Sequence, residues 1–120
     1  MKKPHFTPAL RAGDFIFVSG QMAFDSDMRI VPGGIADQTI VVIAHIARAL
    51  ADVGADIDDV VKTTVWLTNP EDFAIFNETY ARHFINGPPA RATVGSVLMV
   101  PGALVEIEAT AHKPVPDSSV

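Results

Sequence analysis

Arg91 is the first residue of the chain with an obvious chemical use. It follows Pro88-Pro89-Ala90 and opens a segment with strand character. A guanidinium fork there can hold a carboxylate through two parallel charge-assisted bonds, or it can simply be a solvated surface arginine. Glu106 and Glu108 stand two residues apart on a segment of strand character, so they share one face. A glutamate in a confined site can position water or take up a proton. An outer charged edge is the other reading, preferred for Glu108 and left open for Glu106. Ser19 precedes Gly20 at a predicted strand end. No Ser-His-Asp pattern surrounds it, which leaves a hydroxyl that donates to a ligand or one that binds its own backbone. Gly20 lets a ligand approach the backbone or permits a bulge.

Other chemistries find little support. The histidines, His5, His45, His83 and His112, lack paired ligand spacing, and there is no cysteine, so neither a metal site nor a thiolate nucleophile is expected. Gly33-Gly34 lacks the remaining glycines of a phosphate loop and reads as a turn. No cofactor is implied. The net charge is −5, with 9 Lys+Arg against 14 Asp+Glu and no basic cluster, which argues against a nucleic-acid partner. An anionic chain also repels anionic metabolites at long range, so binding one requires a local, partly desolvated cation. The basic start, Met1 to His5, is not followed by an apolar signal core, and no apolar stretch reaches membrane-span length; a cytoplasmic protein away from membranes is expected.

The elements that must carry these residues follow from periodicity. Residues 15–19 are β-branched and aromatic and read as a strand, with 21–24 as a short second strand and Asp25-Ser26-Asp27 as a turn. Residues 36–53 read as a helix with Ile40, Ile43, Ala47, Leu50 and Ala51 at helical spacing and Gly54 as its cap. Residues 60–68 alternate, with Val61, Thr63, Val65 and Leu67 on one face and Thr64 and Trp66 on the other. Asn69-Pro70 starts a second helix whose apolar stripe is Phe73, Phe76, Tyr80 and Phe84. Residues 91–98 and 103–112 complete the set as strands, and the tail 113–120 is expected to fray. Two helices on one face of a mixed sheet make a single α+β domain over residues 1–120. Hydrophobic residues are 48% of the chain, and the second sheet face, with Trp66 and Leu104, is half apolar. Such a face suits packing against another subunit.

Several segments together closely resemble the Rid family of reactive intermediate deaminases, also called YjgF-like proteins. They are 13–21 (Gly-Asp-Phe-Ile-Phe-Val-Ser-Gly-Gln), Gln38-Thr39, Val53-Gly54-Ala55, 58–68, 72–80, 89–94 and 104–111, in order, within a resemblance that runs from about Phe6 to His112. The resemblance implies a fold like trimeric-type chorismate mutase, with three subunits packing their sheets into a barrel-like core. It implies ligand clefts between neighbouring subunits and Arg91 as the ligand of a small carboxylate-bearing metabolite. It further implies hydrolysis of a short-lived enamine or imine acid such as 2-aminoacrylate to a 2-oxo acid and ammonia, with Glu106 handling water or protons. Ser19, Gly20, Asn77 and Thr93 match cleft positions. So does Phe6, where deaminating members often carry tyrosine; its lost hydroxyl removes one hydrogen bond. Many members carry cysteine at Thr93, but imine hydrolysis needs no thiol. The segment between Phe84 and Pro89 is short for the family. Two other activities remain open on the sequence: a binding or chaperone-like trimer without turnover, and a related hydrolase of pyrimidine degradation acting on another enamine acid.

Overall fold

The structure is a computed structural model that describes residues 4–116. Its sheet consists of β1 (Ala9–Ala12), β2 (Phe15–Gln21), β3 (Val60–Leu67), β4 (Ala90–Gly95) and β5 (Val105–His112), in the order β1-β2-β5-β3-β4. All neighbours are antiparallel except β3 and β4, which run parallel because α2 (Phe73–Ala81) crosses between them. The other helix, α1 (Ile35–Ala51), joins β2 to β3. This is the mixed sheet with two helices that the sequence implies.

The first hairpin is a correction. The short strand expected at 21–24 is absent as a strand; Phe24 makes only an isolated bridge to Ile30. The partner of β2 is β1, at Ala9–Ala12, through a tight connection at Gly13 (φ +62). Ala9–Ala12 carries no β-branched residue and only a weak strand signal, so pairing rather than propensity makes it a strand.

One face of the sheet builds the core. Ile16, Val18, Val65, Leu67, Val105, Ile107, Ala109 and Ala111 are buried there beneath Val42, Ile43, Ile46 and Leu50 of α1 and Phe76 and Tyr80 of α2. The alternation expected for β5 holds throughout. In β3 it breaks at one end. A bulge between Val60 and Lys62 turns Val61 outward and places Val60 in the core instead. On α1 the buried stripe runs through Ile35, Thr39, Val42, Ile46 and Ala49 as well as Ile43 and Leu50, while Ile40 and Ala51 face out. A polar stripe member, Thr39, hides this face from a count of apolar residues; its hydroxyl is satisfied by the Ile35 carbonyl at 2.7 Å. Gly54 (φ +83) ends the turn after α1, as its position suggests.

The tail is more ordered at its start than composition implies. The Lys113 and Val115 amides donate to Asp14, and Arg11 donates to the Lys113 carbonyl at 2.7 Å. Residues 117–120 of the expected flexible tail lie outside the described residues. Among the described residues no helix is long and apolar enough to cross a membrane.

Gln38 ties α1 to the approach of β5. Its amide is buried, donating to the Gly102 carbonyl at 3.0 Å and accepting from the Leu104 amide at 2.9 Å. Gln38→Leu keeps the volume but orphans two backbone groups, at a cost of about 2–4 kcal/mol in urea unfolding. A loss below ~0.5 kcal/mol would show that water reaches those groups.

Candidate functional site

Two positional facts organise the candidate residues. Register partners in a sheet project to the same face, and successive residues project to opposite faces. Arg91 pairs with Thr63 and Thr93 with Val65, and both Thr63 and Val65 lie in the core beneath the helices. Arg91 and Thr93 therefore project to the helix side of the sheet. Glu106 pairs with Trp66, on the opposite, open face, where Glu108 pairs with Thr64. Within one chain the guanidinium of Arg91 and the carboxylate of Glu106 sit on opposite sides of the same sheet.

On the helix side, Arg91 lies over an aromatic floor. Its guanidinium carbon is 4.8 Å from the Tyr80 ring centre, 5.7 Å from Phe76 and 5.8 Å from Phe73. All three distances are within cation–π range. Phe73 thus departs from the sequence expectation: it is 43% exposed and does not pack into the core with Phe76 and Tyr80. A 3-10 turn at Pro70–Asp72, capped by Asn69 accepting from the Glu71 amide at 3.0 Å, delays the start of α2 and places Phe73 at its outer end. Among the described residues the ion pairs are Arg82–Glu78 and Lys113–Asp59, so no acidic group neutralises Arg91. Arg91 and Asn77 line one open cavity of about 560 Å³ whose walls are Tyr80, Phe84, Ile85 and Pro89. Thr93 lines a second hollow with Phe73 and Pro70. Tyr80 is the residue that sequence reasoning missed here. Its place in a helical apolar stripe reads as core, where it lies, and its contact with Arg91 emerges only from tertiary packing.

The open face gathers the other candidates. A bulge between Val18 and Gln21 carries Ser19 and Gly20. Gly20 touches Glu106: a side-chain carbon on Gly20 would collide with the Glu106 carboxylate and lie 3.1 Å from its carboxyl carbon. The carboxyl of Glu106 is held above its usual range, first by burial and then by repulsion from Glu108. The Ser19 hydroxyl is committed. It donates to the Thr7 carbonyl at 2.6 Å, while the Ser19 amide donates to Pro8 at 2.9 Å, so its oxygen is left as an acceptor. Those two bonds fix the segment after Phe6, whose ring is 53% exposed. His45, by contrast, is structural: it bonds the Phe24 carbonyl at 2.8 Å. Among the described residues no His, Asp or Glu cluster could hold a metal ion.

Residues 2–113 match the family model described as Endoribonuclease L-PSP. A RutC family protein of Pyrococcus abyssi is 41% identical over 109 residues, 90% of this chain and 86% of its own. The mouse protein named 2-iminobutanoate/2-iminopropanoate deaminase is 36% identical over 107 residues, 88% of this chain and 79% of its own. The crystal structure of RidA from an Antarctic Psychrobacter superposes with a TM-score of 0.86 at 31% identity, covering 93% of this chain and 91% of that one. The chain belongs to this endoribonuclease L-PSP family, which includes the proteins named RutC and Rid.

Proposed function

We propose that the protein hydrolyses small enamine or imine acids to 2-oxo acids and ammonia, at clefts shared between neighbouring subunits of a homotrimer. The reading rests on the Arg91 guanidinium, which no acid neutralises among the described residues and which lines a largely apolar cavity with Asn77. Such a group can hold a carboxylate through two parallel charge-assisted bonds. The names of the mouse and rat relatives support the same chemistry.

The reaction asks little of the chain. An enamine acid first becomes the imine as a proton moves through solvent from its nitrogen to its terminal carbon; water then adds to the C=N carbon, and the resulting carbinolamine expels ammonia to leave the 2-oxo acid. Arg91 orients the substrate through its carboxylate. Glu106, with its raised proton affinity, accepts the proton from the attacking water and returns it to the leaving nitrogen. Because the two groups occupy opposite faces of one sheet, Arg91, Asn77 and Thr93 of one subunit would meet Glu106, Ser19, Gly20 and Phe6 of the next. The open face supports such an assembly: Leu10, Phe15, Phe17 and Val94 are all at least 44% exposed. A face of this kind is stabilised by burial against another copy. The proposal does not extend to RNA cleavage, since a chain of net charge −5 offers no cationic track for a phosphate backbone.

Arg91→Ala is expected to lower ammonia release from freshly generated 2-aminoacrylate about 30- to 1000-fold, or ~2–4 kcal/mol of transition-state stabilisation, and Arg91→Lys recovers little. Near-normal turnover by Arg91→Ala would place the carboxylate clamp elsewhere. A wild type that binds 2-oxo acids through Arg91 without turnover would make the protein a binding module.

A base must be ionised to act, so turnover falls as pH drops through the raised Glu106 value. The acid limb of the pH profile is expected above the ordinary 4.5 and disappears in Glu106→Gln. The sign for stability follows from the same shift. The folded chain holds this proton more tightly than the unfolded chain, so the stabilisation present below 4.5 is lost as pH rises through the folded value. Glu106→Gln therefore melts no lower than wild type at pH 7. An unchanged acid limb in the variant would remove Glu106 from the mechanism.

Gly20→Ala separates site from fold. The added methyl displaces the end of a flexible side chain, so stability changes by less than about 1 kcal/mol. A base displaced by roughly 1 Å loses on the order of tenfold to a hundredfold in rate. Full activity in Gly20→Ala, measured alongside its melting curve, would show that the Glu106 position does not matter.

A further inference from the structure

The arrangement beneath Arg91 contains more order than a carboxylate clamp needs for simple attraction. Tyr80 is the chain's one tyrosine and is 4% exposed. Its hydroxyl is bonded to Thr63 Oγ1 at 2.8 Å, and Thr63 is the β3 residue in register with Arg91. The bond therefore ties the far end of the ring to the strand position beside the arginine. The ring itself is flanked by Phe76 of α2, at 5.4 Å between centres, and by Phe84 just beyond the end of α2, at 4.5 Å. Tyr80 cannot swing away, and of the three aromatic rings it lies nearest the guanidinium.

We propose that Tyr80 is the positioning residue of the anion site: its pinned ring holds the Arg91 guanidinium by its face, leaving the N–H edge turned out for a carboxylate. This rests on the reading of Arg91 as the clamp. An acidic partner would also hold an arginine still, but it would occupy the N–H fork and cancel the charge. An aromatic face attracts the cation without using a single N–H. The consequence is a cation that is both ordered and unneutralised inside an anionic chain. The chemical class that fits is a planar, monoanionic carboxylate approaching edge-on to the guanidinium, such as the acid end of a 2-imino or 2-oxo acid.

The test uses 2-oxobutanoate as probe, calorimetry for affinity, and ring-labelled tyrosine for NMR, where a single tyrosine gives a single set of ring signals. Three position-80 forms are compared: wild type, Tyr80→Phe and pentafluorophenylalanine incorporated at position 80. Fluorination withdraws electron density from the ring face and turns attraction for a cation into repulsion while nearly preserving shape. Tyr80→Phe is expected to bind within about threefold of wild type, and the fluorinated form about fivefold or more weaker than Tyr80→Phe at a similar melting temperature. Equal affinity of those two forms would overturn the proposal. A second measurement needs no change at Tyr80. Saturating probe should shift the tyrosine ring signals of the wild type, and Arg91→Ala should neither bind nor shift them. If Arg91→Ala loses binding but the wild-type ring signals stay put, Tyr80 does not sense the clamp and the inference fails by itself. If Arg91→Ala binds like wild type, the clamp reading fails and takes this inference with it.

Discussion

The alternation of side chains along β3 governs the disposition of everything else. Thr63, Val65 and Leu67 point beneath the helices, while Thr64 and Trp66 point to the open face. Backbone pairing then imposes the same parity on both neighbours, on β4 through parallel register and on β5 through antiparallel register. Arg91 inherits the side of Thr63, and Glu106 inherits the side of Trp66. A slip of one residue in either pairing would exchange those sides and bury a charge or expose a core strand. The hydrophobic burial that fixes the register therefore also fixes which functional group faces which way.

The two faces give these groups opposite electrostatic settings. Arg91 stands among aromatic faces with no acid among the described residues to neutralise it, which keeps a local positive centre in a chain of net charge −5. Glu106 stands beside Glu108 over a bulge whose Gly20 has no side chain, and its partial burial favours the protonated form. Neither setting serves core stability. The core itself is satisfied elsewhere, through Gln38 and Thr39 on α1 and the Thr63–Tyr80 hydroxyl pair. The same Thr63–Tyr80 bond that satisfies two buried hydroxyls also orients the floor under Arg91, so core packing and site geometry are joined at one contact.

The strongest sequence signals were those tied to local physics. The α1 turn at Gly54, the Asn69-Pro70 start, and the alternation of β5 all follow from short-range rules of capping, fixed φ and strand parity. Arg91, Glu106, Ser19 and Gly20 stood out by residue type, and Asn77, Thr93 and Phe6 by family pattern. What escaped was decided at a distance. β1 is a strand because β2 pairs with it, Val61 faces out because a bulge shifts the register against β5, and Phe73 leaves the core because a 3-10 turn precedes α2.

The sequence by itself determined both helices, the strands other than β1, the family and the identity of the chemical groups, because propensity, capping and motif order are properties of neighbouring residues. It also showed that an anionic chain needs a local cation for an anionic ligand. Only the tertiary structure decided that Arg91 lies on the Tyr80 ring, that Glu106 rests against Gly20, and that the two groups occupy opposite faces. Those relations depend on the register between strands distant in sequence, and register is settled by which faces can be buried together.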